Sequence, residues 1–330
     1  MHSNIKTILY LSLITLTTAC IPHKAKHGYT CLCTTQACDS IAPLNWTPQI
    51  KGAVVYQTAK EIGDEVGDRL RRFELPFTTT TTTTTTEKSN SKSTPPSRTI
   101  TFDTSITYQT IRGFGNALTD AAAINYARFD NSSLFLEQYW GKTGLGLSIG
   151  RIPIASCDFS TSSWSYDDVN NDYSLEHFSI EHDEKYKIPM IKDVRNAAMQ
   201  TGQPISLFAS PWAPPYWMTN KNSTVGNPTL KNGPTSATAQ IYADYLVEFF
   251  RRYDNDHGID FWALTAQNEP AGNTGAWQDL KFTPEEQRDF IKTILGRKLM
   301  EKRDSGFCSF FIILIYDLYS KSTCMTKSFF

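Results

Sequence analysis

The sequence has no excess of charge of either sign and no apolar run as long as a typical membrane-spanning helix. Its 330 residues include 32 Lys and Arg and 33 Asp and Glu, so the net charge is -1. This balance gives no general attraction to nucleic acid or to an anionic membrane. Hydrophobic residues make up 40% and charged residues 20%, which is typical of a globular protein with one large domain or two small ones.

Several catalytic motifs are also missing. The chain contains no His-Glu-Xaa-Xaa-His helix and no phosphate-binding glycine loop, which argues against the enzyme classes that depend on them. The segment Arg112–Asn116 contains a Gly-Xaa-Gly but lacks the third glycine of a dinucleotide site. The six histidines show no ligand spacing, so the sequence predicts no metal and no cofactor.

The first 19 residues are predicted to be a secretory signal peptide. Lys6 precedes an apolar core, Ile8–Leu16, and small residues lead to a cleavage site after Ala19. The alternative, a membrane anchor, needs roughly 20 apolar residues, which is about twice the length of this core. The sequence therefore predicts a protein of the secretory pathway.

The cysteine pattern fits that prediction. Four cysteines lie within a short segment rich in turn residues: Cys20, Cys31, Cys33 and Cys38. In an oxidising compartment these four cysteines would form two disulfides, in one of three connectivities. The alternative is a zinc site, but the segment lacks the second well-spaced ligand pair of a zinc knuckle. Cys157 is predicted to be a buried free thiol. N-glycosylation sequons begin at Asn45, Asn131 and Asn222.

Composition separates an N-terminal region from the rest. Residues 20–77 form a cysteine-rich β-segment with strand-like runs at 53–56 and 71–77. Residues 78–98 are a Thr/Ser/Pro linker that cannot bury a core.

Strands and helices alternate from residue 99 onward. The strand-like runs are 109–114, 145–154, 204–209 and 260–266. Alternation of this kind predicts βαβ units on a parallel sheet. The last predicted helix has an N-cap at Thr283, Pro284 at its first position, a capping box with Glu286 and a C-terminal stop at Gly296.

The segment Trp262–Pro270 is an apolar strand that stops on Asn-Glu-Pro. In a parallel barrel the carboxyl ends of the strands carry the chemistry, so Glu269 is the candidate general acid. On the tripeptide alone, an exposed turn glutamate is an equally good interpretation.

Five motifs occur in an order that is found in a known family. They are Arg112–Ala123, Ile152–Ser160, Ala209–Trp217, Asn268–Pro270 and Phe282–Phe290. They resemble the lysosomal glucosylceramidases (acid β-glucosidases) of glycoside hydrolase family 30, from about Cys20 to about Gly296. The resemblance implies the N-terminal half of a (β/α)8 barrel, with residues 20–77 contributing to an accessory β-sandwich.

The resemblance also implies a function. It predicts a retaining β-glucosidase that hydrolyses glucosylceramide at a membrane surface, in the lysosome or outside the cell. A saposin-like activator protein is the candidate partner, and no cofactor or nucleic acid is expected.

Site residues follow from the same motifs. A retaining mechanism needs two carboxyl groups about 5 to 5.5 Å apart, and the resemblance makes Glu269 the acid/base. It assigns Asn268 to the sugar 2-hydroxyl, Asp158 to other sugar hydroxyls and Trp212 to the sugar ring, with Arg151 beneath the site. Each assignment has a structural alternative. Asn268 could be an amide that caps the strand end, and Asp158 could be a turn aspartate. Trp212 could serve only in packing, and Arg151 could form a plain structural ion pair. Asp120 and Trp217 are expected to be structural.

Two departures from the family pattern remain. Gln267 replaces a glutamate that the family often has, and no position corresponds to the nucleophile, which the family carries on its seventh strand. The carboxylates after Gly296 lack any matching context: Glu301, Asp304 and Asp317.

The end of the chain leaves alternatives open. Residues 99–296 are interpreted as a partial barrel and residues 297–330 as a divergent tail, whose apolar run at 307–319 is interpreted as foreign to the fold. The chain is then either part of the predicted glucosylceramidase, a truncated non-catalytic product or incomplete gene model, or part of a related enzyme for another β-glycoside.

The resemblance predicts disulfides from Cys20 to Cys31 and from Cys33 to Cys38. Each should stabilise the secreted protein by roughly 2 to 4 kcal/mol, because so short a segment has little core of its own. Mass mapping of the non-reduced protein should find both pairs within residues 20–38. Free thiols at these positions, or bound zinc, would contradict the prediction.

Overall fold

The computed structural model describes residues 105–272 and 274–303, together with five separate strand segments at 22–25, 28–31, 52–58, 70–76 and 311–313. The predicted signal peptide, the Thr/Ser/Pro linker and several predicted site residues lie outside the described residues: Cys20, Cys33, Cys38, Asn45, Asp304 and Asp317. The chain divides into two compact units, Met1–Thr110 and Ile111–Phe330.

The described residues of the first unit form two antiparallel strand pairs. Strand β1 (Pro22–Ala25) pairs with β2 (Gly28–Cys31), and β3 (Gly52–Thr58) pairs with β4 (Leu70–Pro76). The second pair includes the strand-like run predicted at 53–56 and residues 71–76 of the run predicted at 71–77.

The second unit is built on a parallel sheet whose strand order follows the chain. Its strands are β5 (Gly115–Ala117), β6 (Ile149–Ile154), β7 (Ser206–Pro211), β8 (Ala263–Thr265) and β9 (Phe311–Ile313). Each neighbouring pair is parallel, and helices lie between the strands in sequence. Sequential parallel strands with helical crossovers are the repeating unit of the (β/α)8 barrel, so the predicted fold class is confirmed.

The helices have recognisable ends. They are α1 (Asp120–Tyr126), α2 (Ser132–Trp140), α3 (Glu181–Lys185), α4 (Lys187–Met199), α5 (Ala237–His257), α6 (Pro284–Phe290) and α7 (Gly296–Arg303), with a π-helical turn at Ile291–Leu295. Thr283 and Glu286 form the predicted capping box of α6. Helix α5 begins at its N-cap Ser236 and ends at Gly258, whose φ of 64° favours glycine. Within the residues that the structure describes, no helix has both the length and the apolar composition that crossing a bilayer requires.

The first barrel strand begins later than predicted. Residues 109–114 form no strand, and β5 starts at Gly115. A Cβ atom at Gly115 would lie 1.9 Å from the carbonyl oxygen of Ile149, so only glycine lets the two backbones approach this closely. The strand-like run at 109–114 predicted a strand, but the approach of β5 to β6 determines where pairing starts.

The prediction that Gly296 ends the last helix is wrong. Gly296 has right-handed helical geometry, with φ -61°, and helix α7 continues from it to Arg303. Leu295 and Leu299 are buried on either side of it, and this packing offsets the roughly 1 kcal/mol that glycine costs inside a helix. The strand β9 then pairs with β8, so the apolar run after this helix supplies a strand of the sheet.

A buried ion pair connects the helices to the sheet. Lys187 Nζ lies 2.9 Å from Asp183 Oδ1 and donates a 2.9 Å hydrogen bond to the carbonyl of Pro153 in β6. The hydroxyl groups of Tyr166 and Tyr253 donate to Asp183 Oδ2. Burial alone would raise the pKa of Asp183, but the charge of Lys187 and hydrogen bonds that include the one from Tyr166 hold it below its usual value.

Two of the sequons are described. The side chain of Asn131 caps α2 by accepting a hydrogen bond from the Leu134 N–H at 3.1 Å. Asn222 is exposed in the loop after β7, with φ 46°. Their glycosylation stays a prediction.

A second buried carboxylate, Asp167, lies in the loop after β6. Its Oδ1 accepts a hydrogen bond from the Val169 N–H at 3.3 Å, whereas Oδ2 has no hydrogen-bond partner within the described residues. Burial, and then the charge of Asp172, raise the pKa of Asp167 to about 6. Asp172 is ionised because hydrogen bonds from the backbone and ring of His177 hold its pKa well below its usual value.

This arrangement predicts greater stability in acid. Because the pKa of Asp167 is higher in the folded state, its stabilising contribution is complete below its ordinary pKa and is lost as the pH rises through about 6. We expect the melting temperature to fall between about pH 4 and pH 7, and Asp167→Asn to reduce that fall. Calorimetry across this range checks it, with Asp130→Asn, at an exposed position before α2, as control. An Asp167→Asn protein with the wild-type pH dependence would contradict the prediction.

Candidate active site

The predicted site residues meet at the carboxyl edge of the parallel sheet. Arg151 lies within β6, Ser210 lies near the end of β7 and Trp212 follows β7 directly. Asn268 and Glu269 come shortly after β8. Because neighbouring strands run parallel, residues at their carboxyl ends are brought together although they are far apart in sequence.

Arg151 connects the three strands. Its Nη2 donates hydrogen bonds to Ser210 Oγ at 2.8 Å and to Asn268 Oδ1 at 2.7 Å. Its guanidinium carbon lies 4.6 Å from the ring centroid of Trp212, within cation–π range. The Ser210 hydroxyl also forms a short hydrogen bond with the Thr265 hydroxyl on β8. Arg151 therefore has one hydrogen-bond partner on β7 and another just beyond β8.

The contact with Arg151 orients the Asn268 amide. Arginine can only donate, so the amide oxygen faces Arg151 and the amide nitrogen is left for another partner. The Asn268 N–H donates to the carbonyl of Pro211 at 2.9 Å, which holds the backbone in place. The side chain is thus positioned to offer an N–H donor at the edge of the sheet.

Arg151 lies among negative groups. Burial lowers the pKa of Arg151, while the charges of the Glu269 and Asp158 carboxylates act in the opposite direction. An arginine remains protonated in proteins under all ordinary conditions. It therefore supplies a permanent positive charge beside the two carboxylates.

Asp158 lies in the turn after β6 and is exposed. Its Oδ2 accepts a hydrogen bond from the Trp212 indole N–H at 3.1 Å. The turn has two non-glycine residues in the left-handed region, Ala155 with φ 63° and Phe159 with φ 65°. Strain of this kind is concentrated at functional sites. Trp212 is only 6% exposed, so its main visible contribution is to hold Asp158.

Glu269 is exposed and also has left-handed backbone geometry, with φ 45°. Its carbonyl accepts a hydrogen bond from the Gly272 N–H at 2.9 Å, which closes the turn. Within the described residues its carboxylate has no hydrogen-bond partner. An exposed carboxyl on a strained strand-end turn is available for proton transfer to a bound molecule.

Gln267 has a structural role that its sequence position did not reveal. It is buried, and its Nε2 donates to the carbonyl of Trp212 at 2.6 Å and to that of Asn268 at 3.1 Å. An ionised glutamate could not donate these bonds. The amide thus ties the end of β8 to the end of β7.

Three further residues have the expected structural positions. Asp120 is buried and accepts a hydrogen bond from the Ser160 hydroxyl at 2.7 Å, and the Trp217 indole donates to the carbonyl of Asp167 at 3.0 Å. Cys157 is a buried free thiol, as predicted. Burial, and then the charge of Asp120, raise its pKa to about 11, so it is protonated at ordinary pH.

Sequence reasoning missed the hydroxyl pair that supports Arg151. Ser210 and Thr265 are polar residues near the ends of apolar strands, and both are fully buried. A buried hydroxyl needs a partner, so polar residues at matching positions on neighbouring strands were the available signal.

Among the tail carboxylates, Glu301 is an exposed residue of α7. No cluster of three potential metal-ligating His, Cys, Asp or Glu side chains occurs in the part of the chain that was described.

The sequence model of the Glycosyl hydrolase family 30 TIM-barrel domain matches residues 111–317. The match extends beyond Gly296 and includes β9. The interpretation of the apolar run as foreign to the fold is therefore wrong for residues up to 317.

Relatives match over most of this chain. A Caenorhabditis elegans protein that carries a glucosylceramidase name is 40% identical over 281 residues, which is 83% of this chain and 49% of that protein. The lysosomal acid glucosylceramidase of Mus musculus is 36% identical over 289 residues, which is 85% of this chain and 52% of that protein. The chain thus spans about half the length of the curated relatives it matches.

A solved structure agrees with the sheet described above. The endo-beta1,6-glucanase BT3312 matches with a TM-score of 0.55 and 32% identity, over 63% of this chain and 44% of that chain. The family match over more than half of the chain, together with this shared fold, shows that the chain belongs to glycosyl hydrolase family 30.

Proposed function

We propose that this chain carries the acid/base part of a retaining β-glucosidase that hydrolyses glucosylceramide to glucose and ceramide. The observation that carries the proposal is the strand-end arrangement of Glu269 beside an Asn268 amide oriented by Arg151. The identities of 36% to 40% with proteins named glucosylceramidases support this substrate.

Each residue has a role in the proposed reaction. Glu269 protonates the glycosidic oxygen as it leaves, and then removes a proton from the water that releases the sugar. The Asn268 amide nitrogen donates to the sugar 2-hydroxyl, a contact that strengthens in the transition state. Asp158, held by Trp212 at one oxygen, accepts hydrogen bonds from other sugar hydroxyls with its second oxygen. Arg151 compensates the charge of the two carboxylates.

The attacking carboxylate belongs to a different part of the family's barrel. Retention requires it about 5 to 5.5 Å from the acid/base, and the resemblance places it on a seventh strand. We assign no residue of this chain to that role. In the complete enzyme, the residues of this chain would supply the proton donor and some of the contacts that bind the sugar.

A second candidate is a family enzyme that acts on another β-glycoside. A relative in Neurospora crassa, named as an endo-1,6-beta-D-glucanase, is 30% identical over 196 residues, and the solved glucanase above is 32% identical. Both values are below those of the glucosylceramidases, which is why we favour glucosylceramide. The predicted secretory or lysosomal location and a saposin-like activator are part of the favoured proposal.

We expect Glu269→Gln in the full-length protein to reduce turnover of β-glucosides by about 10² to 10⁴, the usual contribution of general acid catalysis. The loss should be smaller for an aryl glucoside whose leaving group needs no protonation. Steady-state kinetics with both substrate types measures it, and Glu285→Gln, at an exposed position in α6, is the matched control. Equal losses for both substrate types would remove Glu269 from this role.

We also expect residues 20–330 by themselves to show no glucosylceramidase activity. Loss of a nucleophile can cost on the order of 10⁶ in rate, and an incomplete barrel leaves strand edges and apolar faces exposed. Secretion of residues 20–330 followed by a fluorogenic β-glucosidase assay at acidic pH provides the test. Turnover near that of a full-length relative, abolished by Glu269→Gln, would show that a nucleophile is present within this chain or in a second copy.

A further inference from the structure

We propose that Gln278 is a positioning residue that holds the Asp158 turn and the Glu269 turn in a fixed relation. The catalytic part of this inference rests on the proposed function, whereas the geometric part does not. Gln278 lies in the loop after β8, nine residues beyond Glu269, and does not belong to the motifs that carried the family resemblance.

Gln278 joins this loop to the one after β6. The Ser156 hydroxyl shares its one proton between Gln278 Oε1 at 2.5 Å and the carbonyl of Trp164 at 2.6 Å, and Gln278 Nε2 donates to Ser163 Oγ at 2.7 Å. Ser156 also accepts a hydrogen bond from the Trp164 N–H at 2.9 Å. Gln278 is 3% exposed and Ser156 is 1% exposed, so water does not replace these bonds readily.

The same loop is fastened to the loop after β7. Val225 and Gln278 form an antiparallel bridge, and the Asp279 N–H donates to the carbonyl of Thr224 at 2.9 Å. The Asn227 N–H donates to Asp279 Oδ1 at 3.2 Å. Gln278 therefore lies where the loops after β6, β7 and β8 meet.

The position of Ser156 explains why this junction matters. Ser156 is two residues before Asp158, next to the left-handed Ala155. A turn with strained backbone persists only where its surroundings hold it. The contact with Gln278 is one of these restraints, and it connects Asp158 to the loop that begins at Glu269.

A glutamine suits this junction because its amide both accepts and donates. Gln278→Glu keeps the acceptor for Ser156 but loses the donor to Ser163, and Gln278→Leu loses both. Displacement of a reacting group by about 1 Å can cost up to about 10² in rate. We expect kcat/KM to fall about tenfold or more in Gln278→Leu, with a smaller loss in Gln278→Glu.

A double-mutant cycle in the full-length enzyme separates positioning from general structural support. If Gln278 acts through Asp158, then Gln278→Leu should cost much less in an Asp158→Ala background than in the wild type. A residue that only stabilises the fold gives the same factor in both backgrounds. Gln287→Leu is the matched control, because Gln287 is also 3% exposed but lies in α6, and its effect should be additive with Asp158→Ala.

A spectroscopic arm tests the geometry without any activity. The Trp212 indole N–H binds Asp158, so its resonance in tryptophan-labelled full-length protein reports the Asp158 position. We expect Gln278→Leu to shift this signal and speed its exchange with water, while Gln287→Leu leaves it unchanged. Trp212→Phe identifies the signal.

The two arms fail in different ways. An unchanged Trp212 signal in Gln278→Leu, or equal activity factors in the two backgrounds, would overturn the positioning role. A shifted signal in an enzyme that turns over no β-glucoside would support the positioning role and overturn the proposed function.

Discussion

The candidate site depends on the need to compensate one half-buried positive charge at the carboxyl edge of the sheet. Arg151 on β6 reaches Ser210 on β7 and Asn268 beyond β8. Removing a guanidinium from water is costly unless hydrogen bonds and nearby negative charge replace its solvation. Ser210, Asn268 and the carboxylates of Asp158 and Glu269 provide this replacement. The same contacts that satisfy Arg151 therefore determine which way Asn268 points.

Other buried polar groups extend this support outward from the site. Gln267 ties the ends of β7 and β8 together, and Lys187 binds the carbonyl of Pro153 in β6 from the helix side. Each of these groups is buried, so each of its bonds is required rather than optional. The result is a site whose exposed carboxyls, at Asp158 and Glu269, lie on turns that hydrogen bonds connect to the end of β7 and to the residue that follows it.

One buried carboxylate favours the folded state in acid. Asp167 is buried next to the ionised Asp172, and its raised pKa means that the folded state prefers it protonated. This preference is met in acid and opposed at neutral pH. The group lies in the loop after β6, whose start carries Asp158, so acidity acts on the same loop that holds a candidate sugar-binding residue.

The amino-acid sequence by itself determined the features that depend on neighbouring residues. The alternation of strands and helices, the capping box of Thr283 and Glu286, and the exposed Glu269 at a strand end all follow from local patterns. Only the tertiary structure decided where β5 begins, because this depends on the approach of Gly115 to Ile149. It also decided that the helix continues through Gly296, since burial of Leu295 and Leu299 outweighs the preference of glycine for helix ends. The partners of Arg151, Gln267 and Gln278 lie on strands and loops up to 122 residues away, and no local pattern specifies which distant polar groups will meet at one edge of a sheet.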